Sequence, residues 1–218
     1  MKKLFSIVLC CCITSIFTMN AQNVVMTFTA GVSPQQNPEP HHIFVNRSSP
    51  REEFTFDLAQ VKASYFVGVG ARYNVNQFFF AGEAQYNRRE YLYNISHTFP
   101  GFGRTEQTEI LSESMNVINL PLTLGVDLGI IDVTSGFLPQ VIVSQDSDLK
   151  SIDGYSQKLD KIRFGWHSGL AANIKDLRVG LSYQMDFNNY ADHAYIHDQN
   201  LSLQGRSSRI LGTLTYQF

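Results

Sequence analysis

The chain has 218 residues, a length that fits one domain, and only 17% of them are Asp, Glu, Lys or Arg. Seventeen basic residues stand against 19 acidic ones, a net charge of −2, so no basic surface is available for nucleic acid. Glycine and aromatic residues are plentiful for so small a chain.

The first residues read as a leader. Lys2 and Lys3 precede an apolar run, Leu4 to Phe17, and Met19-Asn20-Ala21 supplies a cleavage site. This is the layout of a secretory signal peptide over residues 1–21, with residues 22–218 as the mature domain. The run is shorter than the ~18–20 residues a membrane anchor needs. Lipoprotein processing at Cys10, Cys11 or Cys12 wants a small residue ahead of the cysteine, and Cys10 follows Leu9. All three cysteines lie in this leader, so the mature chain must hold together without disulfides. Losing Lys2 and Lys3 leaves 15 basic residues against 19 acidic ones.

Beyond the leader the apolar residues recur with period 2, the period of a strand whose side chains alternate between two faces. The pattern predicts eight strands, at about Val24–Val32, Lys62–Asn74, Gln77–Asn87, Asn116–Leu128, Ile131–Ser144, Lys161–Asn173, Leu177–Asn188 and Arg206–Phe218. The fourth is the cleanest, with Ile118, Leu120, Leu122, Leu124, Val126 and Leu128 on one face. In the last, Ile210, Gly212, Leu214, Tyr216 and Phe218 oppose Arg209, Leu211, Thr213, Thr215 and Gln217.

The connections alternate. Tight turns are expected at Val75-Asn76, Gly129-Ile130 and Ile174-Lys175-Asp176. Long connections are expected at 33–61, 88–115, 145–160 and 189–208. Strict alternation of short and long, with an even strand number, is the layout of an eight-stranded antiparallel up-and-down transmembrane β-barrel. Such a barrel must close, because lipid offers no hydrogen bonds to an open edge. Its lumen is just wide enough to be filled by side chains.

A soluble eight-stranded barrel is the competing reading. It requires a charged, hydrated outer face. Here the polar face is mostly Gly, Ser, Thr, Asn and Gln, and its few charges nearly balance. Arg72, Arg163, Arg178 and Arg209 stand against Glu83, Asp127, Asp132 and Asp186. With His167 beside Arg163, they are expected to form a lumen network in which buried charges pair. The apolar face carries aromatics near strand ends, Tyr65, Tyr73, Phe78, Tyr86, Phe187, Tyr216 and Phe218, like the interfacial girdles of membrane barrels.

The run Asn116-Val117-Ile118-Asn119-Leu120-Pro121-Leu122-Thr123-Leu124 resembles the "I-P-L-L-L" strand of the Bacteroidota outer membrane protein β-barrel domain family, the PorT-like barrels. Phe78 to Tyr86, with Glu83, Gln85 and Tyr86, resembles that family's "P-E-L-Q-Y" strand, although Ala81-Gly82 stands where proline is expected. Arg163-Phe164-Gly165 to Gly169-Leu170 and the terminal Leu214-Thr215-Tyr216-Gln217-Phe218 fit its later strands. The resemblance implies an outer-membrane location after export, contact with outer-membrane lipids, and no catalytic residues or cofactor. It also implies that the last strand, with Tyr216 and Phe218, closes the barrel and is read by the barrel assembly machinery. A narrow channel or secretion-system accessory is the first alternative role, and a lipid-active enzyme the second.

Chemistry-bearing residues outside the strands are few. Asp192, His193, His197 and Asp198 have a metal-like composition, but no helix is expected to array them, and a solvated loop is the expectation. His41-His42 in a Pro/Gln/Asn-rich stretch reads the same way. His167 and Ser168 are adjacent in one strand, so they face opposite sides and form no dyad. Tyr91, Tyr93 and Ile95, with Thr108, Ile110 and Ser112, continue the alternation. They predict a hairpin protruding past the membrane around Pro100-Gly101-Phe102-Gly103, an element in the 88–115 loop for an envelope or extracellular protein partner.

Overall fold

The computed structural model describes residues 23–37, 43–46, 53–99, 105–152, 154–196 and 199–218. Its strands, in chain order, are β1 (Val24–Ser33), β2 (Ile43–Asn46), β3 (Glu53–Val61), β4 (Ser64–Val75), β5 (Phe78–Phe99), β6 (Thr105–Asn119) and β7 (Leu122–Asp127). They continue with β8 (Ile131–Ser147), β9 (Tyr155–Gln157), β10 (Ile162–Ile174), β11 (Leu177–Tyr190), β12 (Ala194–Ile196), β13 (Gln199–Asn200) and β14 (Leu203–Gln217). The leader, His41-His42, the hairpin tip at Pro100–Gly103, His197 and Asp198 lie outside the described residues.

Eight of these strands close a ring. The order is β1, β4, β5, β6 with β7, β8, β10, β11 and β14, each antiparallel to the next, and β14 returns to pair with β1. The fourth sequence-predicted strand is two, because Pro121 has no N–H to give the ladder. The line survives the break. Leu120 N–H donates to Pro139 O at 2.8 Å and Glu83 N–H to Pro121 O at 3.2 Å, and β7 keeps the same two neighbours, β5 and β8.

Beyond the ring, β3 continues the line of β4 along β5, and β2 pairs outside it. A small sheet of β9, β12 and β13 lies in the connections expected to be loops. Asn76, Gly129 and Lys175 carry positive φ at the three tight turns. Only at Gly129 is that conformation free of a Cβ penalty.

One strand shows what sets the barrel's depth. Along β5 the inward positions run Glu83, Gln85, Asn87 and Arg89, then Tyr91, Tyr93 and Ile95. The outward positions run Phe78, Phe80, Ala84 and Tyr86, then Arg88, Glu90, a half-buried Leu92 and Asn94. The pleat does not change, but the polarity of both faces inverts between Tyr86 and Arg88. β6 inverts too, from outward Ser112, Ser114 and Asn116 to outward Ile118 and, beyond it, Leu122 and Leu124. Below the inversion large apolar side chains face outward and are exposed all round the ring, Phe28, Val69, Leu170 and Leu181 among them. The belt spans Tyr65 to Val75 on β4. Ten steps of ~3.3 Å, tilted ~40°, give ~25 Å, the height of a bilayer-facing band.

Above the inversion the barrel is filled like a soluble core. Phe56, Tyr93, Ile95, Leu149, Ile196, Leu201 and Leu203 are all buried, and they belong to one cluster with Met115 and Val117. Among the described residues, 189–196 and 201–203 are therefore a packed cap and not a solvated loop. Their apolar side chains, Ala194, Ile196, Leu201 and Leu203, leave water with the rest of this cluster. The expected β5–β6 hairpin is present, with Tyr91, Tyr93 and Ile95 pointing into this core and β3 paired along the other edge of β5.

Lower down, two phenyl rings enter the lumen from the face assigned as polar. Phe66 and Phe79 are buried. Glycines opposite make the room: a Cβ on Gly125 would lie 2.1 Å from Phe79 Cζ, and one on Gly31 2.3 Å from Phe66 Cε1. Arg72 sits 3.6 Å above the Phe79 ring and holds it from the other side. Gly125→Val should therefore cost about 1–3 kcal/mol through overpacking, read as a lower urea midpoint in micelles. An unchanged midpoint would show that the ring has somewhere else to go.

Candidate functional site

The charged lumen and its cap are the places where polar chemistry is concentrated. At the short-turn end the centre is Asp132, fully buried on β8. Arg72 Nη1 donates to its Oδ2 at 2.7 Å, and Asn173 Nδ2 to its Oδ1 at 2.9 Å. Arg178 Nε lies 3.0 Å from Oδ2 as an ion pair whose angle is too poor for a hydrogen bond. Arg72 also reaches Asp127 at 3.1 Å and Asn74 at 2.7 Å. Two carboxylates, Asp132 and Asp127, therefore balance the two guanidiniums, with Asp132 fully buried and Asp127 at the partly exposed rim.

Midway, Glu83 accepts from Gln85 Nε2 at 2.7 Å and from Thr29 Oγ1 at 3.3 Å. Thr29 and Thr215 share a 3.0 Å bond across the β1–β14 seam. His167 is buried, with Nε2 3.4 Å from Thr123 Oγ1. Glu83 and His167 line a cavity of about 80 Å³, room for a few waters.

Above them, Arg89 Nη1 donates to Asp186 Oδ2 at 2.9 Å. Its Nη2 reaches Gln140 at 2.9 Å and Asn119 at 3.2 Å. Gln140 also donates to Asp186, and Arg209 Nη2 stands 3.9 Å from the same carboxylate.

The nine charged or ionisable residues named from sequence thus fall into separate groups. Arg72, Asp127, Asp132 and Arg178 meet. Glu83 and His167 share a small cavity. Asp186 and Arg209 meet near Arg89. Arg163 stands apart from His167, four residues and ~13 Å along β10. Its guanidinium binds the cap instead, donating from Nη2 to Asp192 Oδ1 at 2.7 Å. Tyr216 and Phe218 face outward at the seam with ring centroids 4.8 Å apart, and Phe218 N–H donates to Met26 O at 3.0 Å.

Arg89, Asn119, Glu113 and the cap were missed because they lie in or beside connections taken as loops. The signal was present: Arg89 keeps phase with Glu83 and Gln85, and Glu113 with Val117 and Asn119. His193 corrects the expectation of a solvated loop, being 2% exposed. Its Nε2 is 2.9 Å from Glu113 Oε1 and 3.1 Å from Gln145, and its Nδ1 is 3.4 Å from Asp192. Tyr93 donates to Glu113 at 3.1 Å. The adjoining cavity of about 20 Å³ holds roughly one water. Among the described residues no group of three His, Cys, Asp or Glu side chains has metal-holding geometry.

Burial pulls the His193 imidazole down, but hydrogen bonds to Asp192 and Glu113 outweigh it and hold the group above its ordinary 6.5. Burial raises the Asp192 carboxyl, but the bond to His193 and the charge of Arg163 hold it below its ordinary 3.8. Burial and then Glu113 push the Tyr155 hydroxyl up to about 12.

Two outcomes are expected. Asp132→Ala leaves Arg72 and Arg178 buried without their shared carboxylate, at a cost of about 3–5 kcal/mol in urea unfolding; a loss below 1 kcal/mol would mean that water enters the lumen. For the cap, the raised His193 value makes its contribution complete below 6.5 and lost as pH rises through the folded-state value. The depressed Asp192 value makes its contribution complete above 3.8 and lost as pH falls through the folded-state value. The amides of Ala194 and Leu201, bonded within the cap at 3.0 and 2.8 Å, should therefore be more protected from exchange at pH 5.5 than at 8.5, after correction for intrinsic rates. Equal protection at both would remove His193 from the latch.

No family model matches the sequence, and no curated protein matches it. Solved structures of similar shape include the Yersinia pestis outer membrane protein Ail in a phospholipid bilayer nanodisc, 11% identical over 88% of this chain and 99% of that one, with a TM-score of 0.38. Another is the outer membrane protease OmpT from Escherichia coli, 9% identical over 89% of this chain and 97% of that one, with a TM-score of 0.44.

Proposed function

We propose that this chain is an integral outer-membrane barrel of structural or interaction type, a member of the PorT-like barrels, with a lumen closed to solutes. The observation that carries the reading is the inversion of both strand faces along β5 and β6, which gives the wall an apolar belt and a water-facing upper part. The long-loop end is then extracellular and the short-turn end periplasmic. Phe66, Phe79, the Asp132 ion cluster and the Arg89–Asp186 cluster fill the lumen at successive heights, and the cap of 189–196 and 201–203 stands over them. The family resemblance rests on Asn116–Leu124, which forms the end of β6, the Pro121 break and the start of β7, and on Phe78–Tyr86, the belt part of β5.

In planar bilayers the protein should show no sustained single-channel conductance, and its electrophoretic band in detergent should shift on boiling. Steady conductance would contradict a filled lumen. A band that does not shift, from a protein that stays folded without detergent, would contradict the membrane barrel itself.

A further inference from the structure

The seam between the first and last strands is paired over only part of its height. β1 and β14 pair from Thr27 opposite Gln217 up to Val32 opposite Gly212. Carried upward, that register sets Gln36 opposite Ser208. Gln36 instead makes both of its backbone bonds, each 2.9 Å, to Val61 on the other side. Among the described residues, the part of β14 above Gly212 pairs only with β11. The wall is therefore parted at the upper end of its seam, and a cleft of about 570 Å³, the size of a small-ligand site, lies there. Gln36 lines one side and Ser208 the other.

Arg209 distinguishes this cleft from a packing defect. It is 6% exposed, lines the cleft, and neither Nη1 nor Nη2 makes a hydrogen bond. Among the described residues its one acidic neighbour within 4 Å, Asp186, is already bonded by Arg89 and Gln140. Two guanidiniums on one carboxylate leave a surplus positive charge, and buried donors without acceptors are costly. A second cation, the exposed Arg206, lines the same cleft. Besides the polar Gln36, Asn37 and Ser208, the lining has an apolar part on the belt side: Tyr183 and Ile210 are both outward and exposed. Cationic groups above an apolar, bilayer-facing floor fit an anionic amphiphile, and the planar guanidinium fork matches a phosphate.

We propose that the parted seam is a lateral site for a phosphorylated lipid. The phosphate lies on Arg209 and Arg206, and the acyl chain leaves along Tyr183 and Ile210 into the bilayer. This rests on the barrel being embedded in a membrane. The free phosphate group shares the head chemistry but uses none of the floor.

The test uses the mature chain in phosphatidylcholine nanodiscs doped with phosphatidic acid or with diacylglycerol of the same chains. Retained lipid is read by native mass spectrometry, with millimolar inorganic phosphate as competitor. The expected result is retention of phosphatidic acid over diacylglycerol, at least tenfold weaker in Arg209→Gln and in Arg206→Gln. Ser208→Trp, which blocks the cleft and keeps both arginines, should lose the lipid as well, and phosphate should not displace it. Equal retention of diacylglycerol, or full retention by Ser208→Trp, overturns the site. Displacement by phosphate overturns the lipid and leaves a free-anion site. The boiling shift is recorded on every sample. A wild type without it fails as a membrane barrel, whereas a wild type with it and no selective retention fails only this site. If Arg209→Gln loses the shift, the exposed Arg206→Gln decides.

Discussion

The structure depends on the return of β14 to β1. A strand facing hydrocarbon has nowhere but another strand to place its backbone N–H and C=O groups, so an open sheet of these eight strands would leave two bare edges in lipid. Pairing from Thr27–Gln217 to Val32–Gly212 removes both edges through the belt. Two further contacts cross the same seam: Thr29 and Thr215 bond on the inside, and Phe218 N–H donates to Met26 O at its lower end. The seam parts only above Gly212, near the top of the belt, where β14 begins to leave hydrocarbon and water can satisfy a free edge. That is also where Arg209 is left with donors to spare.

Closure then fixes what the lumen has to be. A ring of eight strands leaves no room for a water column once Phe66 and Phe79 enter it, so the remaining polar side chains must satisfy one another. The charged groups gather around two carboxylates, Asp132 below and Asp186 above, each serving two arginines, while Arg209 keeps both terminal nitrogens unbonded. Such clusters add little net stability over an apolar filling, but each partner becomes costly to remove. Above the belt that constraint lapses, and the interior becomes an ordinary apolar core with one polar knot, Glu113–His193–Asp192–Arg163, tying the cap to β6 and β10.

The belt was legible in sequence because lipid outside and polar groups inside impose period 2 on every strand, as in Ile118 to Leu128. The short turns were legible because strands end where alternation does, at Val75 and Ile174. What was not legible lies above Tyr86. There the alternation persists and marked a hairpin through Tyr91, Tyr93 and Ile95, but its sense reverses, so which face of that hairpin is buried could not be read with the belt's polarity. The Pro121 break was visible as a residue but not as an interruption, since the neighbours on both sides hold the line. The cap failed for another reason. Ala194, Ile196, Leu201 and Leu203 belong to short, irregular pieces with no period, and only their burial against Tyr93 and Ile95 reveals them. Lumen pairings such as Arg163 with Asp192 depend on height along the axis, which alternation alone does not report.

The central claim is that the outward face of one strand passes from lipid to water between Tyr86 and Arg88. Because Cys10, Cys11 and Cys12 are the sequence's three cysteines, single cysteines can be placed along outward β5 positions 78 to 96 of a chain that starts at residue 22 and spin-labelled in vesicles. Accessibility to oxygen against a water-soluble nickel chelate should favour oxygen at 78, 80, 84 and 86 and the chelate at 88, 90 and 94. Chelate access at every one of these positions would contradict the account.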